Sequence, residues 1–264
     1  MITAGFVGTG KMGGALASAV IKAVGGESVM LADYDIEKAK AIAGESGAVC
    51  TDSQTVCKEC KFIFLGVKPQ FLEQTANELK ETLAARKDRF ILVSMAAGVS
   101  TARLAKMFGD YPIIRIMPNT PVAVGEGMIV YCHNSLVSND EITEFTSALE
   151  CAGEVSFLEE ALIDAATSVS GCGPAFVYMF IKALADGGVN CGLSPELSLK
   201  LAEQTVLGAA KLAIVSGEMP DKLKTDVCSK GGSTIEGVKV LEKEGLEDIV
   251  KAAVNASFEK NKKL

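Results

Sequence analysis

The stretch Ala4-Gly5-Phe6-Val7-Gly8-Thr9-Gly10-Lys11-Met12-Gly13 decides the fold of this chain. Residues 4–7 are apolar and predict a strand, and the pattern from Lys11 to about Val24 predicts a helix. The glycines between them follow G-x-G-x-x-G: Gly8 permits a tight turn, Gly10 lets backbone approach a pyrophosphate, and Gly13 lets helix and strand pack closely. Strand, turn and helix together predict a dinucleotide site, with candidate cofactor contacts at Gly8, Thr9, Gly10, Lys11, Met12 and Gly13.

Around this motif, the N-terminal half of the chain alternates short apolar runs with helical patterns. Further strands are predicted at 29–33, 62–67, 90–94 and 113–117, helices at 36–43 and 71–85, and extensions of the sheet at 128–131 and 155–157. This alternation is typical of a parallel sheet with right-handed crossovers. It predicts an α/β Rossmann-type domain with a mostly parallel sheet over residues 1–158.

The strands stop after about residue 160, and the remaining patterns are helical. Helices are predicted at 175–184, 195–215 and 246–260, the second of them begun by Ser194 as its cap and Pro195 in its first turn. Small residues along that second helix suit close packing, either within the chain or against a second subunit. We therefore predict an all-α domain over residues 159–264.

Asp33 ends the predicted second strand, about 20 residues beyond the glycine motif. A carboxylate at this place accepts hydrogen bonds from the adenosine ribose 2′-OH and repels a 2′-phosphate, which favours NADH over NADPH. The alternative is a carboxylate that is solvated at a strand end and contacts no cofactor.

The carboxyl ends of the later strands offer further cofactor contacts, because these ends line the ligand crevice of an open parallel sheet. One strand closes on Val67-Lys68-Pro69, the next on Ala96-Ala97-Gly98, and the last on a loop with Asn119 between two prolines. The small Ala96 and Ala97 leave room for a flat nicotinamide ring. Lys68 is equally well explained as a solvated loop residue.

Composition and charge exclude several classes of function. The chain has 264 residues, is 48% hydrophobic and carries a net charge of -7, which disfavours binding to nucleic acid or an anionic membrane. No uninterrupted apolar run approaches the roughly 20 residues of a membrane span, and the N-terminus lacks a signal-peptide pattern. We therefore expect a cytoplasmic protein without a membrane partner.

Neither the cysteines nor the histidine predict a metal site. The eight cysteines are irregularly spaced, and Cys57 and Cys60 form a single C-x-x-C without the second pair that a zinc site needs. His133 is the only histidine. We predict free thiols and no metal.

Two segments of the C-terminal half add to the N-terminal motifs: Ser170-Gly171-Cys172-Gly173-Pro174-Ala175 and residues 227–237. Together with the glycine turn, Val67-Lys68-Pro69, Ala96-Ala97-Gly98 and Met117-Pro118-Asn119-Thr120-Pro121, they resemble the pyrroline-5-carboxylate reductase family along nearly the whole chain. The first segment has Cys172 in place of a family Ser, and the second is similar to the family's S-P-G-G-T-T signature. In that signature Lys230 replaces Pro and Ser233 replaces Thr.

The resemblance implies a fold, an assembly and a set of site residues. It implies a helical domain intertwined with a partner subunit, dimers that assemble further into decamers, and an active site between the cofactor of one subunit and the signature loop of its neighbour. The implied substrate contacts are Asp226, Ser229, Gly231, Gly232, Ser233 and Thr234, with Thr234 as the catalytic residue. Glu160 and Thr167 are implied near the cofactor, and the family often prefers NADPH, against the expectation from Asp33.

The implied reaction is hydride transfer from NAD(P)H to the C=N carbon of the cyclic imine 1-pyrroline-5-carboxylate, which gives proline. A protonated imine is already electrophilic, so the chemistry requires positioning and no metal. Thr234 is placed to bond the ring nitrogen, and the backbone N–H groups of residues 231–234 to hold the substrate carboxylate. Without the resemblance, this loop is explained as well by a helix–helix turn with a Ser cap.

Two alternatives stay open at this point. A β-hydroxyacid-dehydrogenase-like enzyme would use a helical lysine after a Gly-rich turn, and Lys182 occupies such a position. A non-catalytic dinucleotide sensor would bind NADH without consuming it.

Overall fold

The computed structural model describes residues 2–263 and contains one eight-stranded sheet with the strand order β3-β2-β1-β4-β5-β6-β7-β8. The strands are β1 (Ile2–Val7), β2 (Val29–Ala32), β3 (Val49–Cys50), β4 (Cys60–Leu65), β5 (Ile91–Ser94), β6 (Ile113–Met117), β7 (Gly127–His133) and β8 (Gly153–Phe157). Every neighbouring pair is parallel except β6 and β7. The prediction of a mostly parallel α/β sheet is confirmed.

The β6–β7 pair is antiparallel because the link between the strands, which contains only the short 3₁₀ segment Thr120–Val124, leaves no room for a crossover helix. The next link contains the helix Asn139–Ala148, so β8 returns parallel to β7. The predicted extensions at 128–131 and 155–157 are therefore present, and both strands run opposite to β1–β6.

Twelve α-helices lie within the described chain. They are α1 (Lys11–Val24), α2 (Ile36–Ala43), α3 (Ser53–Glu59), α4 (Leu72–Ala84), α5 (Thr101–Phe108), α6 (Asn139–Ala148), α7 (Ile163–Ala166), α8 (Gly173–Asn190), α9 (Pro195–Ser216), α10 (Pro220–Val227), α11 (Ser233–Lys243) and α12 (Leu246–Asn261). No strand follows β8 within residues 2–263, as predicted.

The central strands are buried on both faces of the sheet. In β4, Phe62 and Phe64 point into one apolar cluster with α1 and α6, whereas Ile63 and Leu65 point into another with α3, α4 and α5. All four side chains are fully buried. This explains why β4 is a continuous apolar run rather than an alternating one.

The chain divides into two compact units. The first runs to Cys172 and includes the C-terminal residues from Ser257, and the second is Gly173–Ala256. The first unit therefore extends beyond the predicted boundary at residue 158. The physical reason is that Ile163 is fully buried and that Asp164 pairs with Arg115 of β6, so this segment packs on the sheet.

One segment, Glu160–Asn190, is long and apolar enough to cross a membrane by length and composition alone, with a mean hydropathy of 1.3. Charged residues interrupt this segment, so it contains no uninterrupted apolar run of the length expected for a membrane span. Only 11% of its most apolar window is buried within the chain.

Candidate active site

The glycine motif forms a closed turn between β1 and α1. Gly8 has φ +97°, and a Cβ built on it would lie 2.9 Å from the carbonyl carbon of Gly66. A Cβ on Gly13 would lie 2.2 Å from the Gly8 carbonyl oxygen. Because backbone cannot yield at such distances, glycine is required at both places. Gly66, which sequence reasoning treated only as part of a strand, is the third partner in this close approach.

Gly10 differs from the other two glycines of the motif. A Cβ built on it would meet no atom of the described chain within 4 Å. It precedes Lys11 at the start of α1, and no side chain caps that helix end. The space above Gly10 is therefore open towards free N–H groups and a positive helix end, an arrangement that fits a pyrophosphate.

A groove of about 460 Å³ opens beside this turn, lined among others by Thr9, Gly10, Lys11 and Lys38. Met12, the remaining residue of the motif, instead packs against the core of the sheet. The groove and the open space above Gly10 are where the first unit has room for a dinucleotide phosphate.

Asp33 joins the end of β2 to the glycine turn. One carboxylate oxygen, Oδ2, accepts hydrogen bonds from the Thr9 backbone N–H at 2.6 Å and from Thr9 Oγ1 at 3.0 Å, and Oδ1 accepts one from the Asp35 N–H at 2.9 Å. Partial burial acts to raise the pKa of Asp33, but these hydrogen bonds outweigh it and hold the pKa below its usual value. A charged carboxylate therefore stands beside the groove at neutral pH.

The other predicted strand-end contacts differ in exposure. Val67 is half-buried against the sheet, whereas Lys68 and Pro69 are exposed at the start of a short 3₁₀ turn. Ala96 is buried and Ala97 is half-buried, just before Gly98 with φ +72°. Lys68 makes no ion pair within residues 2–263, so its ammonium is available at the carboxyl edge of the sheet.

Asn119 and Thr167 both use their polar groups within the protein. Asn119 Nδ2 donates to the Ser170 carbonyl at 3.0 Å, and its Oδ1 accepts from the Met128 N–H at 2.8 Å. Thr167 Oγ1 donates to the Ile163 carbonyl at 2.7 Å and begins a π-helical turn, Thr167–Gly171. Wide turns of this kind are frequent at functional sites, and Asn119 holds this one in place.

Glu160 lies in a partly buried charge network that sequence reasoning missed. Its two carboxylate oxygens accept hydrogen bonds at 2.8 Å from the N–H and the hydroxyl of Thr101 at the start of α5. Arg115, only 4% exposed, pairs with Glu160 at 3.4 Å and with Asp164 at 3.3 Å. The one available signal was a charged residue within the apolar β6 run, and such a residue predicts a buried partner.

In the second unit, the predicted substrate loop leads into α11. Gly231 has φ +78°, the Gly232 N–H donates to the Ser229 carbonyl at 3.0 Å, and Gly232 precedes the first helical residue, Ser233. Thr234 follows in the first turn, exposed and at a helix start that no side chain caps. The loop therefore presents backbone N–H groups and hydroxyls to solvent, which fits a carboxylate ligand.

Asp226 is the one predicted substrate contact that is already paired. Both of its carboxylate oxygens bond Lys222, four residues earlier on α10. Lys182, the alternative catalytic lysine, pairs with Asp186 on the exposed surface of α8 and is 76% exposed.

The described residues form no group of three or more histidine, cysteine, aspartate or glutamate side chains that could hold a metal ion. All eight cysteines are free. Burial raises the pKa of the Cys57 and Cys60 thiols to about 12, so both are protonated and unreactive at neutral pH.

Comparison with known proteins covers both parts of the chain. Residues 160–264 match the family model of pyrroline-5-carboxylate reductase dimerisation, and residues 3–98 match that of NADP oxidoreductase, coenzyme F420-dependent. The pyrroline-5-carboxylate reductase of Synechocystis is 42% identical over 82% of this chain and 79% of its own length. That of Escherichia coli is 37% identical over 98% of this chain and 97% of its own.

Solved structures agree with these relatives. The Plasmodium falciparum pyrroline carboxylate reductase with NADP bound has a TM-score of 0.86 and 33% identity, covering 99% of this chain and 97% of its own. The Coxiella burnetii pyrroline-5-carboxylate reductase has a TM-score of 0.91 and 28% identity, with the same coverage of both chains. A ketol-acid reductoisomerase with 14% identity and a TM-score of 0.63 shares the fold alone.

Proposed function

The chain belongs to the pyrroline-5-carboxylate reductase family and reduces 1-pyrroline-5-carboxylate to proline with NAD(P)H, and we propose that Thr234 and the glycine turn carry this reaction. It self-associates through the helical region matched from residue 160. In our proposal, the dinucleotide binds at Gly8–Gly13 of one subunit, and the loop 229–234 of the neighbouring subunit holds the imine. The observation that carries the proposal is the open space above Gly10 at an uncapped helix start.

The cofactor, when bound, supplies a hydride from the nicotinamide ring to the C=N carbon. This chain's own residues then have three tasks. The N–H groups at the start of α11 hold the substrate carboxylate, Thr234 Oγ1 bonds the ring nitrogen and keeps its proton in place, and the half-buried Ala97 leaves a flat surface for the nicotinamide. Addition of a hydride to the protonated imine yields the amine, so charge and atoms balance without a further reactant.

Lys68 and the π-helical turn complete the proposed cofactor half of the site. The exposed Lys68 offers a cation at the carboxyl edge of the sheet, where phosphate or carboxylate groups gather. Asn119, Glu160 and Thr167 act in our proposal by fixing the backbone around the nicotinamide, since their polar groups already bond protein atoms. Val67 and Pro69 shape the same edge.

The reaction is tested by following oxidation of NADH or NADPH in the presence of 1-pyrroline-5-carboxylate and identifying proline as the product. A non-catalytic sensor would bind the dinucleotide and oxidise none of it. A β-hydroxyacid-dehydrogenase-like mechanism would make Lys182→Ala inactive and leave Thr234→Ala active. We expect the opposite, because Lys182 is paired with Asp186 on an exposed helix surface.

We expect the protein to prefer NADH over NADPH. The charged Asp33 lies beside the groove and accepts hydrogen bonds well, so it suits a ribose diol and repels a 2′-phosphate. Repulsion between one exposed charge and the 2′-phosphate costs about 1 kcal/mol, so kcat/KM should be about fivefold higher with NADH than with NADPH. Steady-state kinetics with both cofactors measure this ratio, and equal or higher kcat/KM with NADPH contradicts it.

We propose that the self-association forms a dimer through α8 and α9. Both helices expose many large apolar side chains: Val177, Tyr178, Met179, Phe180, Leu184, Leu197, Leu199, Leu201, Leu207, Leu212, Ile214 and Val215. Helix α8 forms the second part of the segment that is apolar enough to cross a membrane, and a second copy of the chain covers this helix equally well. We accordingly propose a cytoplasmic protein, with dimers able to assemble further to a decamer.

Leu207→Glu is expected to shift the dimer to monomer. Leu207 is 56% exposed in the single chain, so the change spares the subunit core, yet it removes an apolar contact of about 1.5–3 kcal/mol from each side of the interface. Light scattering during size-exclusion chromatography measures the mass as multiples of the 27.6 kDa subunit. Lys200→Glu, at an exposed position of the same helix, is the control, and an unchanged mass for Leu207→Glu contradicts this interface.

A further inference from the structure

Three charged side chains lie together where β2 meets α2. Asp35 Oδ2 and Lys38 Nζ form an ion pair at 3.6 Å, with both side chains about half exposed. The charge of Lys38 also acts on Asp33, where it adds to the hydrogen bonds that lower the pKa against the opposing effect of burial. Lys38 lines the groove beside Gly10. Two carboxylates thus share one cation at the edge of the proposed dinucleotide site.

The two carboxylates have different structural tasks. Asp33 is bonded to Thr9 through both the N–H and the hydroxyl, so its replacement opens the glycine turn and disturbs either cofactor. The Asp35 side chain makes no capping hydrogen bond to α2, and only its backbone N–H donates to Asp33. The carboxylate of Asp35 can therefore be removed without breaking the link between β2 and the turn.

We infer that the Asp35–Lys38 pair acts together with Asp33 to set the choice between NADH and NADPH, an inference that rests on the proposed placement of the dinucleotide at the glycine turn. Lys38 is the cation available to a 2′-phosphate at the α2 side of the groove, since Lys11 begins α1 next to the pyrophosphate space. The carboxylate of Asp35 pairs with the ammonium group of Lys38 and adds its own negative charge at the same place. Loss of the Asp35 carboxylate frees the ammonium and removes one source of repulsion at the same place.

The matched control is provided by the same helix turn. Glu37 and Lys40 form a second ion pair at 2.9 Å, three residues apart like Asp35 and Lys38. Neither of these two side chains lines the groove. Glu37→Gln and Asp35→Asn remove the same charge from the same helix, so a difference between them reports on position and not on net charge.

The experiment measures the Kd of NADPH and of NADH by isothermal titration calorimetry, in the intact oligomer, alongside steady-state kinetics. For Asp35→Asn we expect the Kd of NADPH to fall about fivefold and the Kd of NADH to stay within about twofold, because exposed charges contribute about 1 kcal/mol. For Glu37→Gln we expect no change in either Kd. Adding Lys38→Ala to Asp35→Asn returns the Kd of NADPH to the wild-type value, and high salt diminishes the gain.

Two results overturn the inference: equal effects of Asp35→Asn and Glu37→Gln, or a gain for NADPH that persists without Lys38. Failure of the proposed function gives a different pattern, in which the unmodified protein oxidises neither cofactor with 1-pyrroline-5-carboxylate. A protein that turns over normally while Asp35→Asn changes nothing refutes only the role of this pair.

Discussion

Replacing Gly10 by valine is expected to leave the fold intact and to weaken NAD(P)H binding about 100-fold, or about 2.7 kcal/mol. Gly10 has φ −63°, an ordinary value for any residue, and a Cβ there meets no protein atom within 4 Å. The branched side chain therefore fills only the space above the turn, where we place the pyrophosphate. Gly10→Ala, with a single methyl group, should have an intermediate effect of about tenfold.

The control for this prediction is thermal unfolding. Because the side chain at residue 10 adds no contact to the protein, Tm of Gly10→Ala and Gly10→Val should lie within about 2 °C of the unmodified protein. Gly13→Ala is the contrasting variant, since its Cβ would lie 2.2 Å from the Gly8 carbonyl oxygen and must lower Tm as well. Wild-type affinity of Gly10→Val for both cofactors would show that the glycine turn does not bind the dinucleotide.

Thr234→Val is expected to lower kcat/KM for the imine about 100-fold while the Kd of the cofactor stays within about twofold. Valine has the shape of threonine and lacks only the hydroxyl, which lies exposed in the first turn of α11. Thr234→Ser restores the hydroxyl and should recover activity to within about fivefold. A wild-type kcat/KM for Thr234→Val would show that another group bonds the ring nitrogen.

The division of this loss between kcat and KM reveals what the hydroxyl does. A hydroxyl that moves or holds a proton in the transition state lowers kcat and leaves KM nearly constant. A hydroxyl that only orients the bound ring affects KM instead, and its loss raises KM by a similar factor in Thr234→Val and Thr234→Ala. Thr143→Val, the same substitution at an exposed threonine of α6 outside the proposed site, is the matched control and should change neither parameter by more than about threefold.

The sheet and the glycine turn could be predicted from sequence because their causes are local. Apolar runs buried on both faces, such as β4, and a G-x-G-x-x-G spacing between strand and helix each need only neighbouring residues. Three of the helices that were not predicted begin with a local signal: Asp52 caps α3, Ser100 caps α5, and Ser138 with Glu141 forms a capping box on α6. The proposed substrate loop was predicted only through its resemblance to a known family.

Contacts between segments that are distant in the chain could not be predicted from the sequence. Arg115 meets Glu160 and Asp164, and Thr9 meets Asp33, only because the fold brings together residues far apart in the chain. No periodicity records such pairs, since each side chain taken alone resembles a solvated charge or a core residue. The extension of the first compact unit to Cys172 follows from the same contacts.

A crystal structure of the oligomer with reduced cofactor and proline bound together tests the proposed active site most directly. We expect the pyrophosphate above Gly10, the proline carboxylate at the free N–H groups at the start of α11 of a neighbouring subunit, and nicotinamide C4 about 3–3.5 Å from the ring carbon that received the hydride. Two ligands lying in separate cavities in every pairing of subunits would contradict it.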